Sequence, residues 1–407
     1  MTRRHADVAI LGGGIIGCSL AADLAGAGLA VRLFEPATIA AGASGRNSGV
    51  VQHPLDAVLA GLYFATVREY RALAAEVDGF ALDDEPAGML FVGRDPARAD
   101  RTAAAWRAAW PATDAEVLAG PMLERLEPAL APDLVACRLQ MGYPVAPAAA
   151  TEAFARLAER RGVDITLGGD ARVAVEGDRA IGVAFDGELE PAGTVVIAAG
   201  PWSAELADPT GAWRPIGRTW GVVAGIALGA AAPRHGLEAA GIDIEPLDGP
   251  TEDPLDTRDA DLVDDELVDF SLARGVETSG LGSTFLPTEP DPAAWLPALR
   301  RVGSRYVPAV ADAPLVGMRS CARPVSLDGR PLLGRVPGRR DLWIATGHGP
   351  WGISTGPASA RLVADALLSG TDDLIPEPLR SDRFGSPGAT SVSTALSASR
   401  PDRTGRT

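Results

Sequence analysis

The chain holds 407 residues, a length that fits one large domain or two interleaved ones. Apolar residues make up 46% and charged residues 22%, an ordinary balance for a chain that folds around a core. A net charge of −16 repels phosphate backbones, which argues against a nucleic-acid partner. All 37 basic residues are Arg, so Schiff-base chemistry, pyridoxal phosphate anchoring and the phosphate-loop lysine are excluded together. Cys18, Cys137 and Cys321 show neither pairing nor metal spacing, and His5, His53, His235 and His348 lie far apart. The expectation is a reduced, cytoplasmic protein with no metal centre. Arg3 and Arg4 precede an apolar run, but its three consecutive glycines fit a turn better than an export signal. The longest apolar stretch, 221–233, falls short of the ~20 residues a membrane helix needs.

In chain order, residues 6–11 read as a short buried parallel strand, and the stretch after Gly12–Gly17 as a helix through about Gly28. Leu20, Ala21 and Leu24 form its packing face, and Leu29 to Glu35 reads as a second strand. This is a βαβ unit of the kind that binds dinucleotides. A small-residue loop from Ala40 to Gly49 leads to a helix from Leu55 to about Val77. Residues 89–92 predict a strand, 97–109 a helix, and Thr151 to Arg161 an amphipathic helix. Strands are predicted at 163–167, 172–175, 180–185 and 194–199. From Pro215 to about Arg319 the pattern turns strand-rich, with Pro and Trp. Within it, 243–269 carries twelve acids against the single Arg258. That segment is expected to be a solvated surface insertion, since it lacks the turn glycine of a calcium loop. Leu342 to Ala345 predicts a strand, and Gly356 to Leu368 a final helix. The tail after about 384 is almost without apolar side chains and is expected to be disordered.

The glycines carry the first chemistry. Gly12 permits the tight strand-to-helix turn, Gly14 lets a pyrophosphate approach the backbone, and Gly17 lets helix and strand pack closely. Ile15 and Ile16 open the helix, whose N–H groups and positive dipole end suit phosphate. Glu35, eighteen residues after Gly17, is placed to accept from ribose hydroxyls, and an acid there argues against NADP. The chain beyond Glu35 does not continue into the further βα units of an NAD site. It runs instead into Ala43-Ser44-Gly45-Arg46-Asn47-Ser48-Gly49-Val50, a loop suited to close contact with a bulky flat group.

Together with Val195 to Ser203 and the stretch from Gly317 to Gly356, these blocks resemble the D-amino-acid oxidase superfamily of FAD-dependent oxidoreductases. This is the group containing glycine oxidase and sarcosine oxidase, and the resemblance runs from residue 6 to about 384. It implies FAD as cofactor and an α/β fold, with a Rossmann-type FAD-binding domain interleaved with an α+β substrate domain built on a large mixed sheet. The FAD domain is expected from 1–85, 144–214 and 322–384, the substrate domain from 86–143 and 215–321, and a disordered tail from 385–407. Besides the glycine motif and Glu35, the resemblance assigns flavin contacts to Ser44, Arg46, Asn47, Ser48, Gly49, Val50 and Val173. It also assigns them to Ala199, Gly200, Trp202, Cys321, Gly347, Gly349, Gly352 and Ile353.

Cys321-Ala322-Arg323-Pro324-Val325-Ser326-Leu327-Asp328-Gly329 is similar to a family motif whose arginine pairs with the substrate carboxylate, a role that falls to Arg323. Cys321 stands seven residues before Asp328, the offset of the cysteine that joins the flavin in sarcosine oxidase-like members. Covalent attachment and simple packing of a small residue both remain open, with Arg319 and Arg323 near enough in sequence to favour a thiolate. Trp351 occupies the place of a carboxylate-holding lysine, and Gln52 that of a carboxylate-binding arginine, so sarcosine itself loses ground. His53 and His348 are candidates for tuning flavin charge or moving a proton, against a merely structural role. Trp202, Trp220 and Trp351 are either pocket walls or ordinary core aromatics. The implied activity is oxidation of the CH–NH bond of a small amine or amino acid, with O2 or another acceptor. A 2-hydroxy-acid dehydrogenase, favoured by Asn47-Ser48-Gly49-Val50, and a non-catalytic flavoprotein subunit are the alternatives. Substrate stereochemistry and oligomeric state are not legible in the sequence.

Overall fold

The computed structural model describes residues 5–240, 265–275 and 278–386. Most of the expected acidic surface insertion and the expected disordered tail after 386 lie outside the described residues. Two eight-stranded sheets organise the rest.

In the first sheet five strands run parallel in the order Leu342–Thr346, Glu188–Ile197, Ala6–Leu11, Val31–Glu35 and Asp164–Leu167. Leu332–Arg335 pairs antiparallel with Leu342–Thr346 and forms that edge of the sheet. A meander of Ala171–Glu176, Arg179–Phe185 and Glu188–Ile197 branches from the same sheet. Four helices cover one face: Ile15–Gly26, Ala57–Glu76, Ala149–Arg160 and Gly352–Ser369. The meander covers the other, where Phe34, Val183, Val195 and Ile197 share a core. A parallel sheet buried on both faces needs near-continuous apolar strands, and Ile10, Leu33, Val196 and Ile197 are fully buried.

The second sheet is mixed, in the order Leu315–Ser326, Ile216–Ile226, Ser279–Thr284, Val268–Ala273, Gly236–Ala239, Met89–Gly93, Val135–Leu139 and Glu116–Ala119. Helix Leu296–Ser304 packs on it through Leu299 and Val302, against Phe270, Leu272 and Leu281. Helix Pro96–Ala109 covers the far end through Trp106. The strand Leu315–Ser326 runs without a break across 321/322, the residue pair at which the sequence suggested a domain boundary. It pairs with Ile216–Ile226 over its length.

Local chemistry explains where the helices begin and end. Asp56 caps Ala57–Glu76, its Oδ1 accepting from the N–H of Val58 at 2.7 Å and of Leu59 at 3.1 Å. The last helix begins at Gly352, four residues before the expected start, despite Pro357 inside it. Proline cannot donate to the carbonyl four residues back, that of Ile353. The Tyr70 hydroxyl, on helix Ala57–Glu76, donates to that oxygen at 2.6 Å and so replaces the missing bond. Several elements have no expectation in the sequence, among them the one-turn helix Ala43–Arg46, the short pairing of Val50–Val51 with Tyr143–Pro144, the strands Glu116–Ala119 and Val135–Leu139, and the helix Leu296–Ser304.

Gly61 sits exposed within Ala57–Glu76, and a methyl group there would meet nothing within 4 Å. Gly61→Ala should stabilise the protein by about 0.5–1 kcal/mol, because Ala gives up less backbone entropy in a helix. A urea midpoint that stays put or falls contradicts this.

Candidate active site

A cavity of about 1180 Å³ opens where the two sheets meet. Ordinary small-molecule pockets are about 300–1,000 Å³, so this one has room for more than a small substrate. One end is built by the C-terminal ends of the parallel strands, where ligands bind in open α/β sheets. Leu11 and Gly12, Phe34 and Glu35, and Ala198 to Gly200 line it there. Gly12 has φ +116°, and a Cβ on it would lie 2.4 Å from the Ala198 carbonyl oxygen. Glu35 is braced at the end of its strand, its Oε2 accepting from the N–H of Gly13 at 2.8 Å and its Oε1 from that of Ala37 at 3.0 Å. The helix start is less open than the motif suggests. The Ile15 N–H donates to Ser44 Oγ at 2.9 Å, so the loop Ala43–Val50 folds over the glycine turn.

That loop is also tied to the second sheet. Arg319 donates through Nε and Nη2 to the Asn47 carbonyl at 3.2 and 3.0 Å, and Asn47 Nδ2 donates to the Ser44 carbonyl at 2.8 Å. The opposite wall carries Cys321, Arg323, Trp220, Val223, Ser283 and Phe285, and the turn His348–Ser354 closes the remaining side. Arg323 donates from Nη1 to the Thr284 carbonyl at 2.7 Å and from Nη2 to Ser283 Oγ, and lies 4.4 Å from the Phe285 ring centroid. Burial lowers its pKa, and the negative charge of Asp269 opposes that.

Most residues expected at the site line this one cavity: Gly12, Gly14, Ile15, Ile16, Glu35, Ser44, Arg46, Asn47, Ser48 and Val50 do so from the first half of the chain. Ala199, Gly200, Trp202, Cys321, Arg323, His348, Gly349, Trp351, Gly352 and Ile353 do so from the second. Gly17, Gly49 and Gly347 are not among the lining residues. Val173 is a correction: it packs into the core beneath the meander, and Asp170, Ala171 and Arg172 face the cavity instead. His53 is another. It lies off the cavity in an aromatic nest, stacked on Trp110 at 4.6 Å with Tyr63, Phe64 and Trp106 around it. Its Nδ1–H donates to the Pro54 carbonyl at 2.6 Å, and burial pushes its pKa down, which leaves a neutral ring without access to a substrate.

His348 does line the cavity but is equally neutral. Ser359 Oγ donates to the Thr355 carbonyl, so it accepts from His348 Nε2–H at 3.0 Å, which leaves Nδ1 unprotonated. Burial takes the His348 pKa from 6.5 to about 3. In the unfolded chain the same ring protonates near 6.5, so stability is unaffected above that pH and is lost as pH falls from 6.5 towards 3. The slope is up to about 1.4 kcal/mol per pH unit. His348→Gln should flatten it between pH 6 and 4 in urea unfolding, and an unchanged slope contradicts the assignment. Cys321, left open between attachment to the flavin and simple packing, is buried. Burial raises its thiol, and that outweighs the lowering by Arg323, Arg319 and Arg46, so a thiolate is disfavoured.

Residues 7–366 match the model of the family described as FAD dependent oxidoreductase. The chain belongs to this family. Glycine oxidase of Pseudomonas aeruginosa is 33% identical over 204 residues, 49% of this chain and 48% of that protein, so the match spans about half of the curated relative. Glycine oxidase from Geobacillus kaustophilus superposes with a TM-score of 0.75 at 24% identity, covering 93% of this chain and 99% of that one. L-proline dehydrogenase from P. horikoshii gives 0.76 at 19% identity, covering 94% and 99%. At these identities the structural likeness speaks for the fold, the expected α/β Rossmann-type architecture. The cofactor of this FAD-dependent family is FAD, and the residues present fit it. Gly12 and Gly14 keep the turn free of side chains, Glu35 stands at the strand end, and the cavity is large enough. Among the described residues of this family member, no helix is long and apolar enough to cross a membrane.

Glu238 and Glu289, which also line the cavity, went unseen in the sequence. Asp269 corrects an expectation: expected within the solvated acidic insertion 243–269, it lies in strand Val268–Ala273 on the cavity wall. They sit in the strand-rich segment with least family signal, and only the pairing of distant strands brings them to the wall.

Proposed function

We propose that this family member oxidises the CH–NH bond of a small amine or amino acid. The observation that carries the reading is Arg323 on the cavity wall. Its bonds to Thr284 and Ser283 use two of the guanidinium's five donors. The fork is therefore oriented before a substrate arrives and can take a carboxylate bidentately. FAD, when bound, supplies the acceptor for the hydride. Trp220, Phe285 and Trp351 give the substrate apolar walls. The amine enters neutral, gives up its N–H proton to solvent, and the resulting imine hydrolyses in water.

The 2-hydroxy-acid reading requires a base for the hydroxyl proton. His53 is off the cavity, His348 with a pKa of about 3 is a weak base, and Gln52 is not one. These observations favour the amine. An anaerobic panel of amino acids, amines and 2-hydroxy acids, read as flavin bleaching, tests the proposal. Bleaching by 2-hydroxy acids alone overturns it, as does a protein that neither purifies with FAD nor binds it when added.

The protonated state of Cys321 further favours flavin held without a covalent bond. Acid precipitation should leave the yellow colour in the supernatant. Colour retained in the pellet and released by Cys321→Ala is the contrary result.

A further inference from the structure

We infer that Gly221 is a positioning residue for Arg323: the side chain it lacks leaves the space in which the guanidinium is held for the substrate carboxylate. This rests on the carboxylate-reading role proposed for Arg323 above. Glycine weakens the interior of a strand, and close approach of another group is a common reason for one there. Gly221 lies buried in the middle of Ile216–Ile226, with Cys321 as its cross-strand partner. Thr219, two residues away on the same face, is the partner of Arg323. The arginine therefore stands diagonally across from Gly221, within reach of a long side chain. It leans over the glycine: a Cβ on Gly221 would lie 2.7 Å from Arg323 Nη1 and closer still to Cζ and Nη2. The guanidinium thus fills the place where any other residue would carry its side chain.

Three further contacts keep the guanidinium there. Nη1 donates to the Thr284 carbonyl at 2.7 Å, Nη2 donates to Ser283 Oγ, and the Phe285 ring centroid lies 4.4 Å from Cζ. Thr284 is itself bolted to the strand of Gly221. Its hydroxyl accepts from the Val222 N–H at 3.0 Å and donates to the Trp220 carbonyl at 3.3 Å, one bond on either side of the glycine. Gly221 and an acceptor of Arg323 therefore move together, and shifting a strand cannot relieve a methyl group at 221. The guanidinium has to leave its acceptors instead, through hydrogen bonds that weaken steeply with misalignment. The obstacle is the tip of a side chain and not backbone, so the cost falls on where the charge sits and leaves the sheet in place.

The test uses the FAD-loaded full-length protein, with propionate, a carboxylate that has no amine to oxidise, as inhibitor of anaerobic bleaching by the best substrate of the panel. Gly221→Ala should raise the inhibition constant about tenfold or more, the loss expected when a charge-assisted pair is misplaced, while the melting temperature falls only a few degrees. In an Arg323→Ala background no guanidinium is left to displace, and adding Gly221→Ala should change the constant by less than about twofold. An unchanged constant in the single variant, or an equal further loss in the Arg323→Ala background, overturns the inference and leaves CH–NH oxidation standing. So does a Gly221→Ala protein that fails to fold, because the methyl group would then have met more than a movable side-chain tip. If Arg323→Ala itself leaves propionate inhibition intact, the carboxylate-reading role of Arg323 falls together with the inference. Bleaching by 2-hydroxy acids alone overturns CH–NH oxidation, and propionate inhibition of that bleaching then decides on Gly221. If the Arg323→Ala proteins do not fold, the single variant decides.

Discussion

Arg323→Met should lower kcat/KM for a carboxylate-bearing amine by about 30-fold to several thousand-fold, the equivalent of 2–5 kcal/mol. Methionine keeps the packing beside Phe285 and over Gly221 but removes the charge and the fork. Two effects compete in this variant. Loss of the carboxylate partner acts on the substrate, while the Thr284 carbonyl and Ser283 hydroxyl lose a donor and cost about 1–3 kcal/mol of stability. They separate by measurement. If recognition dominates, amines that lack a carboxylate should lose far less activity than amino acids, and the melting temperature should fall only a few degrees. Equal losses on both substrate classes would mean that Arg323 holds the strand together and does not read the carboxylate.

The second large effect is expected at Gly17. A Cβ there would lie 1.9 Å from the Gly12 carbonyl oxygen, well inside van der Waals contact, and the obstacle is backbone. The helix Ile15–Gly26 would have to move away from the strand Ala6–Leu11, opening the turn that presents Gly12 and Gly14. Gly17→Ala should cost about 3 kcal/mol or more, the upper range for overpacking. The purified variant should also lose most of its flavin, read as the ratio of visible to ultraviolet absorbance. The same methyl group added at Gly61 is expected to stabilise, so the pair isolates position from chemistry. A yellow Gly17→Ala protein of unchanged stability would show that the helix does not pack as described.

The parts of the fold legible in the sequence are those set by neighbours along the chain. Gly12, Gly14, Gly17 and Glu35 fall within one strand-helix-strand unit, where turn geometry and apolar runs suffice. Arg323 was readable only through family likeness, since nothing local distinguishes it from a surface Arg before a proline. His53 looked like a site residue because it is three positions from Val50, yet the chain turns there and buries the ring among aromatics. Val173 missed the cavity by one residue, because the cavity ends at the start of its strand, Ala171–Glu176, and takes in only Asp170, Ala171 and Arg172 there. Glu238 was out of reach for a different reason. Its strand pairs in parallel with Met89–Gly93 and antiparallel with Val268–Ala273, partners that no local pattern names.

The order of strands in the first sheet has a consequence for biosynthesis. Ala6–Leu11 leaves the ribosome first, but one of its two neighbours is Glu188–Ile197, and Leu342–Thr346 completes the parallel row. The closing turn at His348 comes only after that. At about 5–20 residues per second, a nascent chain waits tens of seconds between making its glycine turn and finishing the pocket. Throughout that interval it has apolar strands without partners and nothing that can grip a flavin. FAD can therefore stabilise only chains whose synthesis has passed the last strand, by mass action on finished polypeptide. In a cell short of flavin, losses of this protein should fall after translation.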